Sequence, residues 1–143
     1  MAPACCIHSG DLFIHGGEDA RRGILGDLWS LDLSGPVTGG WVPHLVRAPR
    51  DRQHEVARTG ARLLSTPSGL VLIGGATAPG GMASSVWRAE VSPGRPRPSW
   101  APLPPLPFAD GTAGTLWSRA DPARLHALVW ANRTAPRWYA WDE

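Results

Sequence analysis

The sequence predicts an all-β protein built from repeated antiparallel sheets, and three observations carry that expectation. A pattern of apolar strand, glycine pair and tryptophan recurs at nearly constant spacing: Gly74 follows Gly16 by 58 residues, Trp87 follows Trp29 by 58, and Trp100 follows Trp41 by 59. With 17 glycines and 15 prolines in 143 residues, turn formers interrupt almost every stretch of a dozen residues, so no window sustains a helical period. The runs between them are rich in Val, Ile, Leu and Trp, which suit a pleated, partly buried surface. A period of this length marks a repeat protein, in which each unit buries its apolar face only against its neighbours.

The first unit, about residues 3–46, opens with the lead-in strand Pro3-Ala4-Cys5-Cys6-Ile7-His8. Leu12-Phe13-Ile14-His15 follows and closes in Gly16-Gly17, where the backbone turns or another segment approaches more closely than a Cβ permits. Leu28-Trp29-Ser30-Leu31-Asp32-Leu33 and a strand led by Trp41 complete it. The second unit, about residues 58–103, repeats the order: a lead-in over 58–64, Leu70-Val71-Leu72-Ile73 ending in Gly74-Gly75, Val86-Trp87-Arg88-Ala89-Glu90-Val91, and a strand led by Trp100. Trp29, Trp41, Trp87 and Trp100 offer large faces for packing unit on unit. A third unit, about 112–143, is worn. Leu128-Val129-Trp130-Ala131-Asn132 falls at the glycine strand with Ala131 and Asn132 in place of the glycines, Trp138-Tyr139-Ala140-Trp141-Asp142 stands for the next strand, and no fourth follows.

This order of parts resembles the kelch motif over nearly the whole chain. The resemblance implies four-stranded antiparallel sheets as blades of a β-propeller, with a typical period near ~50 residues; the longer period here places the surplus in loops. Trp141-Asp142 suggests a different propeller repeat, but the glycine pairs and their spacing favour kelch. A closed propeller takes ~4–8 blades, so the chain reads as an incomplete propeller, a piece or short isoform of a longer array. Met1 directly precedes the lead-in strand, in keeping with that reading. Open ends of such an array expose unpaired strand edges that invite self-association.

Formal net charge is +2, and all 14 basic residues are arginine. They are scattered rather than clustered with stacking aromatics, which argues against a nucleic-acid surface. The adjacent Cys5 and Cys6 point to opposite faces of a strand and cannot staple distant segments, so no disulfide framework argues secretion. Residues 1–10 lack a basic, apolar signal sequence and no later segment approaches the ~20 apolar residues of a membrane span, from which a cytoplasmic location is expected. Asn132-Arg133-Thr134 satisfies the glycosylation pattern.

Chemistry finds little foothold. The five histidines, His8, His15, His44, His54 and His126, have no metal-ligand spacing, and no cofactor is expected. Some kelch-type propellers are copper oxidases, which implies a cysteine-modified tyrosine with histidine ligands, but Tyr139 and the cysteines lie at opposite ends of the chain. Residues 110–117 match an Asp-box only loosely, and neither a Gly-x-Ser-x-Gly turn nor a phosphate loop is present. The reading is non-catalytic: a protein-interaction module, scaffold or adaptor, that binds a protein or peptide partner through rim loops. Two loop sets are candidates, 18–27 with 76–85 and 45–59 with 104–114. In several kelch propellers an arginine opening the lead-in strand reaches the ligand rim, and Arg58 matches that position. It is the first candidate, so Arg58→Ala is expected to weaken binding without altering the fold. Arg21, Arg22, Arg52 and His54 follow as contacts for an acidic peptide. Two alternatives remain: an appendage positioning substrate for a larger enzyme, such as a carboxyl methyltransferase-like protein, or a segment of an extracellular kelch glycoprotein.

Overall fold

A computed structural model describes residues 2–36, 39–77, 81–91, 98–107, 113–121, 124–131 and 137–142; the Asn132 triplet lies outside them. The chain is mostly β. The first sheet (sheet I) runs β1 (Ala4–His8), β2 (Asp11–His15), β5 (Leu28–Asp32) and β6 (Val42–His44) as an antiparallel meander, with the small hairpin β3 (Glu18–Asp19) and β4 (Gly23–Ile24) inserted after the glycine pair. Sheet II repeats this with β7 (Arg62–Thr66), β8 (Gly69–Ile73), β11 (Val86–Ala89) and β12 (Trp100–Leu103), and hairpin β9 (Ala76–Thr77) and β10 (Gly81–Met82). Each of its six strands begins 58 residues after its counterpart. Sheet III is three-stranded, β13 (Ala113–Asp121), β14 (Arg124–Ala131) and β15 (Arg137–Asp142), with a bulge between Thr115 and Trp117.

The glycine pairs do a definite job. Gly16, Gly17, Gly74 and Gly75 all have positive φ, from +66° to +99°. A Cβ on Gly17 would lie 3.3 Å from Pro3, and one on Gly75 would lie 2.6 Å from the Ala61 nitrogen. Pro3 and Ala61 are equivalent residues in the two repeats, so the second glycine of each pair makes room for its own sheet's lead-in chain. The first glycine serves the next sheet: a Cβ on Gly16 would overlap the Arg58 carbonyl oxygen, to which Gly17 N–H donates at 2.8 Å.

The sheets stack face to face. Ala4, Phe13 and Leu28 of sheet I pack with Leu63, Leu70, Leu72, Trp87, Ala89 and Trp100 of sheet II, while Val71, Ile73 and Val86 on the other face of sheet II meet Leu125 and Tyr139 of sheet III. Hence β8 is buried along its whole length and reads as a continuous apolar run rather than an alternating one. The first strands lie side by side across the stack, β1 against β7 and β7 against β13, and the His8 Nδ1 and Ser65 Oγ atoms share a 2.8 Å hydrogen bond. At the other edge, the stretch after β6 is tied to the start of β12 by a bond of 2.6 Å from Trp100 N–H to the Arg47 carbonyl.

Two details depart from the sequence expectation. Of the four tryptophans expected between units, Trp87 and Trp100 are buried, but Trp29 and Trp41 are exposed (36% and 43%), because sheet II has a neighbour on each face and sheet I on one. A helical turn, Arg50–Glu55 of 3-10 type, lies in a loop whose sequence reads as irregular, started by Pro49 at φ −49°. Pro43 and Pro102, opposite Trp29 and Trp87, sit on the edge strands β6 and β12, the place in a sheet where a missing N–H is tolerated.

Cys5 is exposed and Cys6 half-buried, both free, as the alternation of β1 requires; burial, with Cys5 beside it, pushes the Cys6 thiol up to about 12, which leaves it unreactive. Among the described residues no helix is long and apolar enough to cross a membrane, and no three His, Cys, Asp or Glu side chains are grouped to hold a metal ion.

His15 gives the interface a measurable pH dependence. It is 1% exposed, its ring meets Trp100 edge-on at 5.4 Å, and neither ring nitrogen has a hydrogen-bond partner among the described residues. Burial holds its pKa down to about 4, with the Arg58 charge acting the same way and Asp27 against it. The folded state therefore stays neutral while the unfolded chain takes up a proton below about 6.5. This contribution is complete above pH 6.5, drains as pH falls, and is lost at about 4, a total of roughly 3 kcal/mol. Urea titrations at pH 7 and 4.5 should show this loss, and His15→Ile, which installs the residue found at the equivalent Ile73, should remove it; an unchanged pH slope in that variant would exclude His15 as the cause.

Candidate partner-binding rim

Three surface elements converge where the glycine pairs lie: hairpin β3–β4, the 3-10 turn, and hairpin β9–β10. The chain after the 3-10 turn joins them. Arg58 N–H donates to the Leu25 carbonyl (3.0 Å), Gly17 N–H to the Arg58 carbonyl (2.8 Å), and Thr59 and Ala76 exchange two backbone bonds (3.1 and 2.9 Å). Residues 18–27, 45–59 and the described part of 76–85 from the two loop sets proposed from the sequence thus share one rim, while 108–112 of the 104–114 loop lie outside the described residues.

Arg21 and Arg22 are exposed at the tip of hairpin β3–β4. The Asp19 carboxylate accepts both of their backbone N–H groups (2.9 and 2.8 Å) and lies 3.9 Å from the Arg22 guanidinium. Those bonds, Arg22's first, hold the Asp19 pKa below the usual carboxylate range, so at neutral pH the turn is fixed in an ionised form and both arginine side chains project outward. His54 is also exposed, on the 3-10 turn.

Arg52 and Arg58 do something different. Arg52 forms a two-pronged bond with Glu55 (both 2.8 Å), and its guanidinium lies 4.7 Å from the centre of the buried Trp87 ring. The bond from Arg52 keeps the Glu55 pKa low and raises that of Arg52; a bond from the Ser85 hydroxyl adds to the shift of Glu55. The kelch resemblance puts the Arg58 side chain at the ligand rim, but it is 1% exposed. Its guanidinium donates to the carbonyls of Glu55 (2.7 Å), Gly74 (2.8 Å) and Ser85 (2.8 Å) and to Ser85 Oγ (2.6 Å). Arg58 is an internal tie: its backbone is bonded to sheet I and its side chain to sheet II.

Glu55 and Ser85 complete this network and escape a reading of the sequence. A faint signal exists for each. Glu55 lies three residues after Arg52, one turn of a 3-10 helix. Ser85 is the repeat equivalent of Asp27, and in both sheets the indole N–H of the tryptophan two residues on donates to that side chain, Trp29 to Asp27 at 2.7 Å and Trp87 to Ser85 at 3.3 Å.

The rim presents two outward arginines on hairpin β3–β4 and a histidine on the 3-10 turn, beside the buried hydrogen bonds of Arg58. No protein-family model matches this chain, and no curated protein matches it.

Proposed function

We propose that the chain is a kelch-type propeller segment that acts as a non-catalytic interaction module, binding a protein or peptide partner through the rim formed by the 3-10 turn and hairpins β3–β4 and β9–β10. The observation that carries this reading is the contrast on that rim. Arg58 is spent inside the fold and half-buried Arg52 on Glu55 and the Trp87 ring, while Arg21 and Arg22 lie exposed on a turn whose backbone Asp19 holds. The 58-residue repetition of all six strands and the side-by-side first strands support the propeller reading. Rim loops on a rigid strand scaffold are where recognition resides in such architectures.

An acidic group on the partner would meet the paired arginines. A Glu-rich decapeptide carrying a fluorophore, titrated at low salt, should bind the parent chain and weaken by about 5–30-fold in the Arg21→Glu, Arg22→Glu double variant, the size expected for two rim charges of ~0.5–1 kcal/mol each. Equal affinity in the two proteins would remove these arginines from the site.

A further inference from the structure

Sheet II holds two arginine side chains, and the repeat transfers the groups that hold them onto sheet I. The Arg58 guanidinium donates to the Gly74 carbonyl (2.8 Å), the Ser85 carbonyl (2.8 Å) and Ser85 Oγ (2.6 Å), while the Arg52 guanidinium lies 4.7 Å from the centre of the Trp87 ring. Gly74, Ser85 and Trp87 supply all of these groups. Moved back by the 58 residues that separate the strands, they become Gly16, Asp27 and Trp29.

The two sets share their local geometry. Gly16 and Gly74 have φ +66° and +69°, so the same left-handed turn sets both carbonyls. In each sheet the tryptophan indole N–H donates to the side chain two residues before it, Trp29 to Asp27 Oδ2 at 2.7 Å and Trp87 to Ser85 Oγ at 3.3 Å, which fixes the acceptor beside the ring. The filling differs. Among the described residues the Gly16 carbonyl and the second Asp27 oxygen, Oδ1, have no donor, and no cation lies over the Trp29 ring. Asp27 is exposed, and Trp29 is 36% exposed where Trp87 is fully buried.

The chemistry of the set selects one kind of side chain. Aspartate in place of Ser85 makes the acceptor charged, so a cation bound there gains charge-assisted hydrogen bonds. A carbonyl and a carboxylate placed as their counterparts in sheet II span the planar fork of a guanidinium, which a lysine ammonium cannot match. The open indole face adds a surface on which a cation can lie.

We propose that Gly16, Asp27 and Trp29 form a socket for an arginine side chain carried on a polypeptide segment, held as sheet II holds Arg58. The socket is distinct from the Arg21 and Arg22 pair and selects the opposite charge. The segment before β7 shows what such a ligand looks like, and a synthetic copy of it is the probe.

A peptide of residues 47–60, titrated at low salt into the nitrogen-labelled full chain, tests this at the indole N–H resonance of Trp29, identified by its loss in Trp29→Phe. A saturable shift is expected. Arg58→Ala in the peptide should weaken binding about 10–100-fold, the loss expected for hydrogen bonds to charged groups, although Arg47, Arg50 and Arg52 remain. Lysine at that position should recover only part. In the chain, Asp27→Ala should weaken binding by a similar factor with the far-ultraviolet circular dichroism unchanged. If that variant loses its β signal, Asp27→Ser, which installs the residue of sheet II, should fold and bind more weakly than the parent. No shift at Trp29, equal binding of the arginine and alanine peptides, or undiminished binding in the Asp27 variants would each overturn the proposal. N-acetyl-arginine amide binding as tightly as the peptide would overturn a polypeptide as the source of the arginine.

Discussion

Arg58→Ala is expected to lower the unfolding free energy by roughly 3–4 kcal/mol, a large part of the ~5–15 kcal/mol margin of a small domain. The side chain is among the largest fully buried ones and donates to three carbonyls and a hydroxyl. Alanine strands those acceptors in the interior and opens a cavity between the Gly74 turn and the start of β11. Lysine would keep the charge but not the planar fork, so Arg58→Lys should lie between alanine and parent. Urea unfolding at pH 7 reads all three. A midpoint for Arg58→Ala within ~0.5 kcal/mol of the parent, the usual range of a surface substitution, would refute the internal role. This reverses the sequence expectation of weaker binding with an unchanged fold.

Gly75→Val should cost a similar amount, roughly 3–4 kcal/mol, for a separable pair of reasons. Gly75 has φ +76°, which a β-branched residue adopts only with strain, and its Cβ would lie 2.6–2.8 Å from the nitrogen, Cα and Cβ of Ala61. Ala61 cannot easily retreat, because Thr59 is bonded twice to Ala76. Gly10 provides the control. Its φ is +86° and a Cβ there would have nothing within 4 Å, so Gly10→Val should show the backbone cost alone, about 1–2 kcal/mol. Equal losses at the two positions would mean that the lead-in chain does not need the space that Gly75 leaves.

The repeat is legible because its parts are local. An apolar run, two glycines and a tryptophan are each set by their own backbone and burial demands, and their spacing survives as the 58-residue offset of every strand in sheets I and II. The strands at Leu128 and Trp138 are legible in the same way, as β14 and β15. The 3-10 turn is not, since six residues with no buried side chain carry no apolar period to detect. For Arg58 the sequence supplies the right point in the chain and the wrong surroundings. Its number in the repeat says that it opens a lead-in strand, but not that Gly74 and Ser85, 16 and 27 residues away, turn their carbonyls toward it.

Trp29 and Trp87 show the same division. Both occupy one motif position, paired opposite Pro43 and Pro102, and the amino-acid sequence alone determines that both lie on a strand of an antiparallel sheet in an all-β repeat. Which of them is core and which is surface was decided only by stacking: Trp87 has sheet I against it and Arg52 over its ring, and Trp29 has neither. Strand identity follows from neighbours a few residues apart, whereas burial and charge pairing depend on segments brought together across the repeat, and that free energy belongs to the assembled stack rather than to any one unit.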